Sequence, residues 1–248
     1  MKNPGPIFCD LKLDATLLTE AETKELLEAS VKDGFSVLAV NKNWTLGTPL
    51  PSFPSLPGFN PKVVLVLRRL TVKISNDKEI PQVKGLAEKL SKAVDLVAFE
   101  FADAELLEAF LKNIDFPGDN LISLDLKAFT PPKSSFKTLK SRPYYLEVSY
   151  GSILDPLERK KSIMNFFRVM ESHFDKVVLS SGASSNFERR NTREVREVVR
   201  GLMDVSDEKG KKLFEEICAK FPAEVVKRAR LARDGFAKLV EQVAAPKK

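Results

Sequence analysis

Two stretches of this sequence set cations beside residues that hold phosphate oxygens. The first is Ser180-Ser181-Gly182, followed by Arg189, Arg190 and Arg193. Hydroxyl groups and the backbone N–H groups of a glycine turn can cradle a phosphate, and guanidinium forks add charge-assisted contacts. The second is Arg159-Lys160-Lys161, two residues beyond Asp155-Pro156. Asp155 is placed to cap a helix and Pro156 to open it. The cations would then oppose the helix dipole at about 0.3–1 kcal/mol each, a cost that a bound anion would relieve. Arg68 and Arg69 lie near the end of a further apolar run. Each feature has a plainer reading, as a tight turn of small residues or as long side chains reaching solvent. Together they describe a surface for a polyanion.

Hydrolytic chemistry finds less to work with. His173 is the single histidine, whereas zinc-type barrels gather several His and Asp ligands at strand ends. Asp10, Asp14, Glu100, Asp125 and Glu147 leave a carboxylate-only magnesium site open, with Asp10 the best placed, although their spacing shows no cluster. Ser180 or Ser181 as a nucleophile would need a base, and His173 falls at the opposite end of the intervening strand. The expectation is a site without metal or cofactor and without catalytic residues.

These residues depend on an alternation of strands and helices. Apolar runs at residues 7–11, 35–40, 62–72, 95–101, 121–126, 144–148 and 176–179 read as strands. Amphipathic segments separate them: one capped by Thr19 and Glu22 and ended by Gly34, then 82–92, 103–113 and 155–173. After the last strand, Val195, Val198, Val199 and Leu202 fall on one helix face and Arg193, Arg196 and Arg200 on the other, with Arg193 spaced to pair with Glu197. Seven strand-helix units argue for a parallel sheet closed, or nearly closed, into a (β/α) barrel. Residues 41–61, with prolines at 49, 51, 54, 57 and 61, read as a surface excursion in which Trp44 is free for a partner. Most of the 17 phenylalanines sit in apolar positions, and Tyr144, Tyr145 and Phe187, the candidate base-stacking platforms, read rather as core residues. Past Val205 the pattern turns helical: 207–220, a break at Pro222, then a helix with a stripe from Val225 through Phe236 to Val243 and cations Lys227, Arg230 and Lys238 on its other side.

The length of 248 residues suits one domain: a barrel core over 6–205, with the 41–61 loop, and a helical cap over 206–245. A net charge of +6 permits phosphate affinity without requiring it. Cys9 and Cys218 offer neither a disulfide framework nor a metal spacing. No apolar run reaches transmembrane length and the N-terminus lacks a signal-peptide core, so the expected setting is soluble and intracellular.

Taken in order, FCDLKL, GFSVLAVN, LRRLTV, DLVAF, LISLDL, YLEVSYGSILD with RKKSI, VVLSSGA, FERRNTREV and RGLMDVSDEKGKKL resemble the thirty-kilodalton protein subunit family of ribonuclease P and ribonuclease MRP. The resemblance spans residues 8–216. It implies a TIM-barrel-like fold related to metal-dependent phosphoesterase barrels yet working without metal, in a non-catalytic RNA-binding subunit of a ribonucleoprotein that matures the 5′ end of precursor tRNA and, as ribonuclease MRP, processes precursor rRNA. It implies as partners the ribonuclease P RNA, the MRP RNA, a small ferredoxin-like protein subunit and other ribonuclease P proteins, with a nuclear and nucleolar setting, or a cytoplasmic one if the source is archaeal. By position, Arg69, Arg159, Lys160 and Arg190 match the family's basic residues and Ser180, Ser181 and Gly182 its small-residue turn; Arg193 joins them from its helix face. Asn191-Thr192 replaces the family's Gly-Pro, Lys42 stands where a histidine is common, and Pro143 interrupts an Arg-Gly pair. The rival reading is a barrel enzyme with the Ser180–Gly182 turn as phosphate cup and Asp10 or Glu147 as base. A third is a scaffold that meets only proteins through its C-terminal helix.

Overall fold

Runs of aliphatic residues fill β1 (Cys9–Asp14), β2 (Val37–Thr45), β3 (Leu65–Ile74), β4 (Leu96–Phe101), β5 (Leu121–Leu124), β6 (Tyr145–Ser149) and β7 (Val177–Ser180). The computed structural model describes residues 6–55, 59–60, 63–114, 121–173 and 176–229. Neighbours pair in parallel in chain order, β1 through β7. The ends of the sheet then meet: Gly182 N–H donates to Lys12 O at 3.0 Å and Asp14 N–H to Ala183 O at 2.8 Å. Seven strands therefore close into a barrel whose seam is bridged by the turn after β7. Helices α1 (Glu20–Lys32), α2 (Ile80–Ala93), α3 (Ala104–Asn113), α4 (Lys133–Ser141), α5 (Tyr150–Leu154), α6 (Arg159–His173), α7 (Thr192–Met203) and α8 (Asp207–Glu215) complete the alternation.

Apolar packing lies between strands and helices. Phe110 of α3 meets Phe99 and Phe101 of β4 at ring-centroid distances of 4.9 and 5.1 Å, a tilted geometry that adds to plain burial. Leu26 and Leu27 of α1 pack with Leu38 and Val40 of β2 in a separate, smaller cluster. Thr19 and Glu22 cap α1 reciprocally, as their spacing predicts, and Gly34 takes φ +99 just beyond its end.

Three local expectations change. Strand β2 runs to Thr45, into the segment read as a loop, because Trp44 is buried and its indole N–H donates to Thr48 O at 3.1 Å; it is core, not a free ring. Helix α6 starts at Arg159, with Asp155 in the preceding turn accepting from Leu157 N–H at 3.0 Å. Pro222 does not break the last helix. A π turn at Glu216–Lys220, closed by Phe221 N–H to Glu216 O, precedes it, and the chain stays helical over 221–229. A wider turn is one way for a helix to accommodate a residue with no N–H to donate. This π turn packs on β1 and β7. Phe214 stacks on Phe8 at 5.0 Å and Phe221 on Tyr145 at 6.5 Å, near the strand starts. The expected stripe beyond 229, with Ala232, Phe236, Leu239, Val243, Arg230 and Lys238, lies outside the described residues. No described helix is long and apolar enough to cross a membrane.

Candidate nucleic-acid interface

The barrel interior is polar, and its charges are spoken for. Arg69 of β3 has no exposed surface; its Nη1 donates to Glu147 Oε1 of β6 at 2.6 Å and to Leu11 O of β1 at 2.5 Å, and Nη2 meets the other carboxylate oxygen. Strands β3 and β6 are not neighbours, so this pair spans the lumen. Burial works to raise the Glu147 pKa, but the Arg69 charge and hydrogen bonds, with Lys12 and the Ser180 hydroxyl, outweigh it and hold the group below the usual range. Asp10 is displaced the other way: burial raises it, against the N–H groups of Ser181 and Lys12 that donate to its carboxylate at 3.0 and 3.2 Å. Lys12 reaches Ser123 Oγ at 2.8 Å and Glu100 at 3.5 Å across the same lumen.

This network corrects two expectations. Arg69 cannot present its guanidinium to an external phosphate, because alternation along β3 turns it inward while Arg68 faces out. The Ser180–Gly182 turn is not an open phosphate cup. Ser180 Oγ donates to Glu147 at 2.8 Å and Ser181 Oγ to Lys12 O at 3.2 Å. The N–H groups of Ser181, Gly182 and Ala183 already serve Asp10, Lys12 O and Ser181 Oγ. The turn joins β7 to β1, and Gly182 adopts φ +67 where an added Cβ would lie 2.8 Å from Ser149.

Above this layer, at the carboxyl ends of the strands, opens a cleft of about 530 Å³. Its walls carry the carboxylates Asp14, Glu100, Asp125, Asp155 and Glu188 against Lys12, Lys127 and Arg190. Lys127 is bound to Asp155 at 2.5 Å, so the floor is not a positive bowl. Cations follow β6 and β7 in the chain, and of these Arg190 lines the cleft, whereas the start of α7, which carries Arg193, is tied to Asp33 at the far end of α1 by Thr192 N–H on Asp33 O at 3.1 Å. Arg159 and Lys160 are exposed at the start of α6, Arg193 in the first turn of α7, and among the described residues no ion pair engages any of the three. Arg190 lines the cleft, with Nη1 donating to Phe187 O at 2.8 Å and Arg189 O at 2.6 Å, and its N–H to the Tyr150 hydroxyl at 3.1 Å. The arginine face of α7 is thinner than its spacing suggests. Glu197 pairs with Arg196 at 3.0 Å and Arg200 at 2.8 Å, not with Arg193. Arg189 lies 2.8 Å from Asp33.

Sequence reasoning passed over three features here. Asn191 and Glu194 form a reciprocal capping box that sets the start of α7, a signal readable in Asn-Thr-Arg-Glu. Lys12 and Lys127, unremarked in the sequence, neutralise cleft carboxylates. Phe187, expected in the core, is 91% exposed on the cleft rim.

No curated protein matches the sequence. Among solved structures, the chain is similar to one in the cryo-EM structure of archaeal ribonuclease P with mature tRNA, with TM-score 0.62 and 14% identity over 91% of this chain and 93% of that one. It is also similar to a lactonase from Listeria monocytogenes, with TM-score 0.53 and 8% identity over 90% and 94%. A histidinol phosphate phosphatase from Lactococcus lactis aligns at TM-score 0.49 and 12% identity over 79% and 92%. At such identities the first two likenesses show a shared barrel fold. The family described as RNase P subunit p30 matches residues 7–234, and the chain belongs to that family, as a protein subunit of ribonuclease P.

Proposed function

We propose that this subunit takes no part in bond cleavage and instead binds the RNA component of ribonuclease P, in the maturation of the 5′ end of precursor tRNA. The observation that carries the RNA contact is the exposed pair Arg159 and Lys160, just beyond the cleft-lining Asp155 and Pro156, with Arg190 on the cleft itself and Arg193 exposed three residues further along the chain. They stand on the segments that follow β6 and β7, where barrels of this class place their sites. The non-catalytic reading is supported by the lumen: Glu147, the expected base of an enzyme, is paired with a buried guanidinium and held ionised, and Asp10 is enclosed by its own N–H donors. Among the described residues no three His, Cys, Asp or Glu side chains group as metal ligands.

If those four cations each neutralise one phosphate, log affinity should fall with log salt at a slope of about −2.8 on single strands to −3.6 on duplex. A flat salt response of the purified chain with ribonuclease P RNA overturns the RNA contact. Multiple turnover of precursor tRNA by the protein alone overturns the non-catalytic role. The reading extends, on the family resemblance, to a ferredoxin-like subunit and other ribonuclease P proteins as neighbours, to the MRP RNA and rRNA processing, and to the nucleus and nucleolus, or the cytoplasm of an archaeal source. Purification of the tagged chain from its native cell, with sequencing of bound RNA and mass spectrometry of bound protein, tests these together. Recovery of ribonuclease P RNA without MRP RNA would remove the second enzyme.

A further inference from the structure

We propose that Phe187 is a stacking platform for an unpaired base of the RNA held at the barrel mouth, a reading that rests on the RNA contact proposed above. Its ring is 91% exposed. An isolated exposed apolar side chain needs no explanation, but this one stands on a loop with little freedom. Ser184 N–H and Oγ donate to Glu188 at 2.6 and 3.0 Å, Asn186 donates to Glu25 at 2.7 Å, and Arg190 clasps the carbonyl of Phe187 itself at 2.8 Å. Arg189 at Asp33 and Thr192 N–H on Asp33 O at 3.1 Å tie the far end of the loop to α1. The backbone is fixed and the ring stands clear of it. An aromatic side chain loses little rotamer freedom on binding, and a ring presented from a fixed loop keeps that cost low.

The charge pattern of the mouth selects the partner. The loop after β7 brings Phe187 and Arg190 to the cleft, and the segment after β6 brings Ser152, Asp155 and Pro156. The lining sets the carboxylates of Glu188 and Asp155 beside Arg190, with Arg159 and Lys160 exposed just beyond Asp155 and Pro156. A duplex edge would bring phosphates toward those carboxylates. A single strand with one base turned inward does the reverse: its phosphates meet Arg190, Arg159 and Lys160, its π face meets the Phe187 ring, and the exocyclic amino group of adenine, cytosine or guanine finds acceptor oxygens. Recognition of unpaired RNA runs on such stacking with hydrogen bonds to base edges. Leu17 and Leu157 are also 95% and 93% exposed on neighbouring loops, so an apolar protein docking on this face is the outcome the test must separate.

The full-length chain is titrated with a short single-stranded oligoribonucleotide carrying 2-aminopurine, and with its duplex. Phe187→Ala is expected to weaken single-strand binding by roughly 5- to 150-fold and to abolish the fluorescence quench, leaving the duplex affinity and the salt slope unchanged. Phe187→Tyr should restore both and Phe187→Leu neither, while Leu157→Ala should leave both at the wild-type level. An unchanged affinity and quench in Phe187→Ala overturns stacking while the salt-dependent RNA contact stands. Full restoration by Phe187→Leu overturns stacking in favour of a plain apolar contact with the RNA. A wild-type chain that binds neither RNA, at any salt, removes the RNA reading and the stacking with it.

Discussion

Replacing Arg69 with Met separates a charge that holds the barrel from one that holds RNA. Both Arg69 and Glu147 are fully buried, and the guanidinium supplies two hydrogen bonds to the carboxylate and one to Leu11 O. Methionine keeps much of the volume but leaves Glu147 with the Ser180 hydroxyl and the more distant Lys12 charge. Breaking one side of a buried pair costs about 3–5 kcal/mol. For a domain of this size each kcal/mol lowers Tm by about 2–4 °C, so thermal melts should drop by about 6–20 °C at neutral pH. The penalty should shrink in acid for two reasons. In the wild type the folded pKa of Glu147 is lowered, so its contribution is present above the unfolded pKa and is lost as pH falls through the folded value. In the variant the unpaired carboxyl simply takes a proton. The double variant Arg69→Met/Glu147→Leu removes both charges and should recover most of the loss. RNA bound by whatever Arg69→Met protein remains folded should keep the wild-type salt slope. An unchanged melting temperature with a shallower salt slope would refute the argument and return Arg69 to the RNA surface.

Arg159→Ala with Lys160→Ala should make the salt slope shallower by about 1.4–1.8 without lowering Tm, since among the described residues neither side chain has an ion pair; an unchanged slope removes them from the interface. Gly182→Ala should destabilise by at least about 1–3 kcal/mol in urea titration, because φ +67 and the 2.8 Å approach to Ser149 both oppose a Cβ. Indifference at that position would mean that the seam between β1 and β7 does not depend on this turn. Asn191→Ala should cost about 0.5–2 kcal/mol by removing one half of the α7 capping box, and should loosen the Phe187 loop, visible as faster amide exchange over residues 184–191. Protection equal to wild type would show that the Asp33 contacts alone hold it.

Most of the scaffold was legible because its signals are local. The alternation of apolar runs and amphipathic segments identifies seven strand-helix units, and Thr19 with Glu22 and Gly34 mark the ends of α1 through backbone chemistry that a few neighbouring residues settle. Segments decided by distant partners were misjudged. Prolines downstream suggested that Trp44 lay in a loop, but pairing with β3 carries β2 to Thr45. Pro222 suggested a break, but packing over β1 and β7 holds the helix together through a π turn.

Residue types and counts alone determined that this chain alternates strands and helices, that one histidine cannot furnish a histidine-rich metal centre, and that cations follow the sixth and seventh strands. Only the tertiary structure decided which cations remain free. Arg69 lies within one apolar strand and Arg190 beyond another, yet the first faces the lumen, where a desolvated charge must find a counter-charge, and the second faces the cleft. The same holds for Phe187, whose neighbours in sequence say nothing of whether another element covers its ring. A charge or a ring acquires its role from what lies across the barrel, 78 positions away for Arg69 and Glu147, and pairings at that separation exist only once the seam has closed.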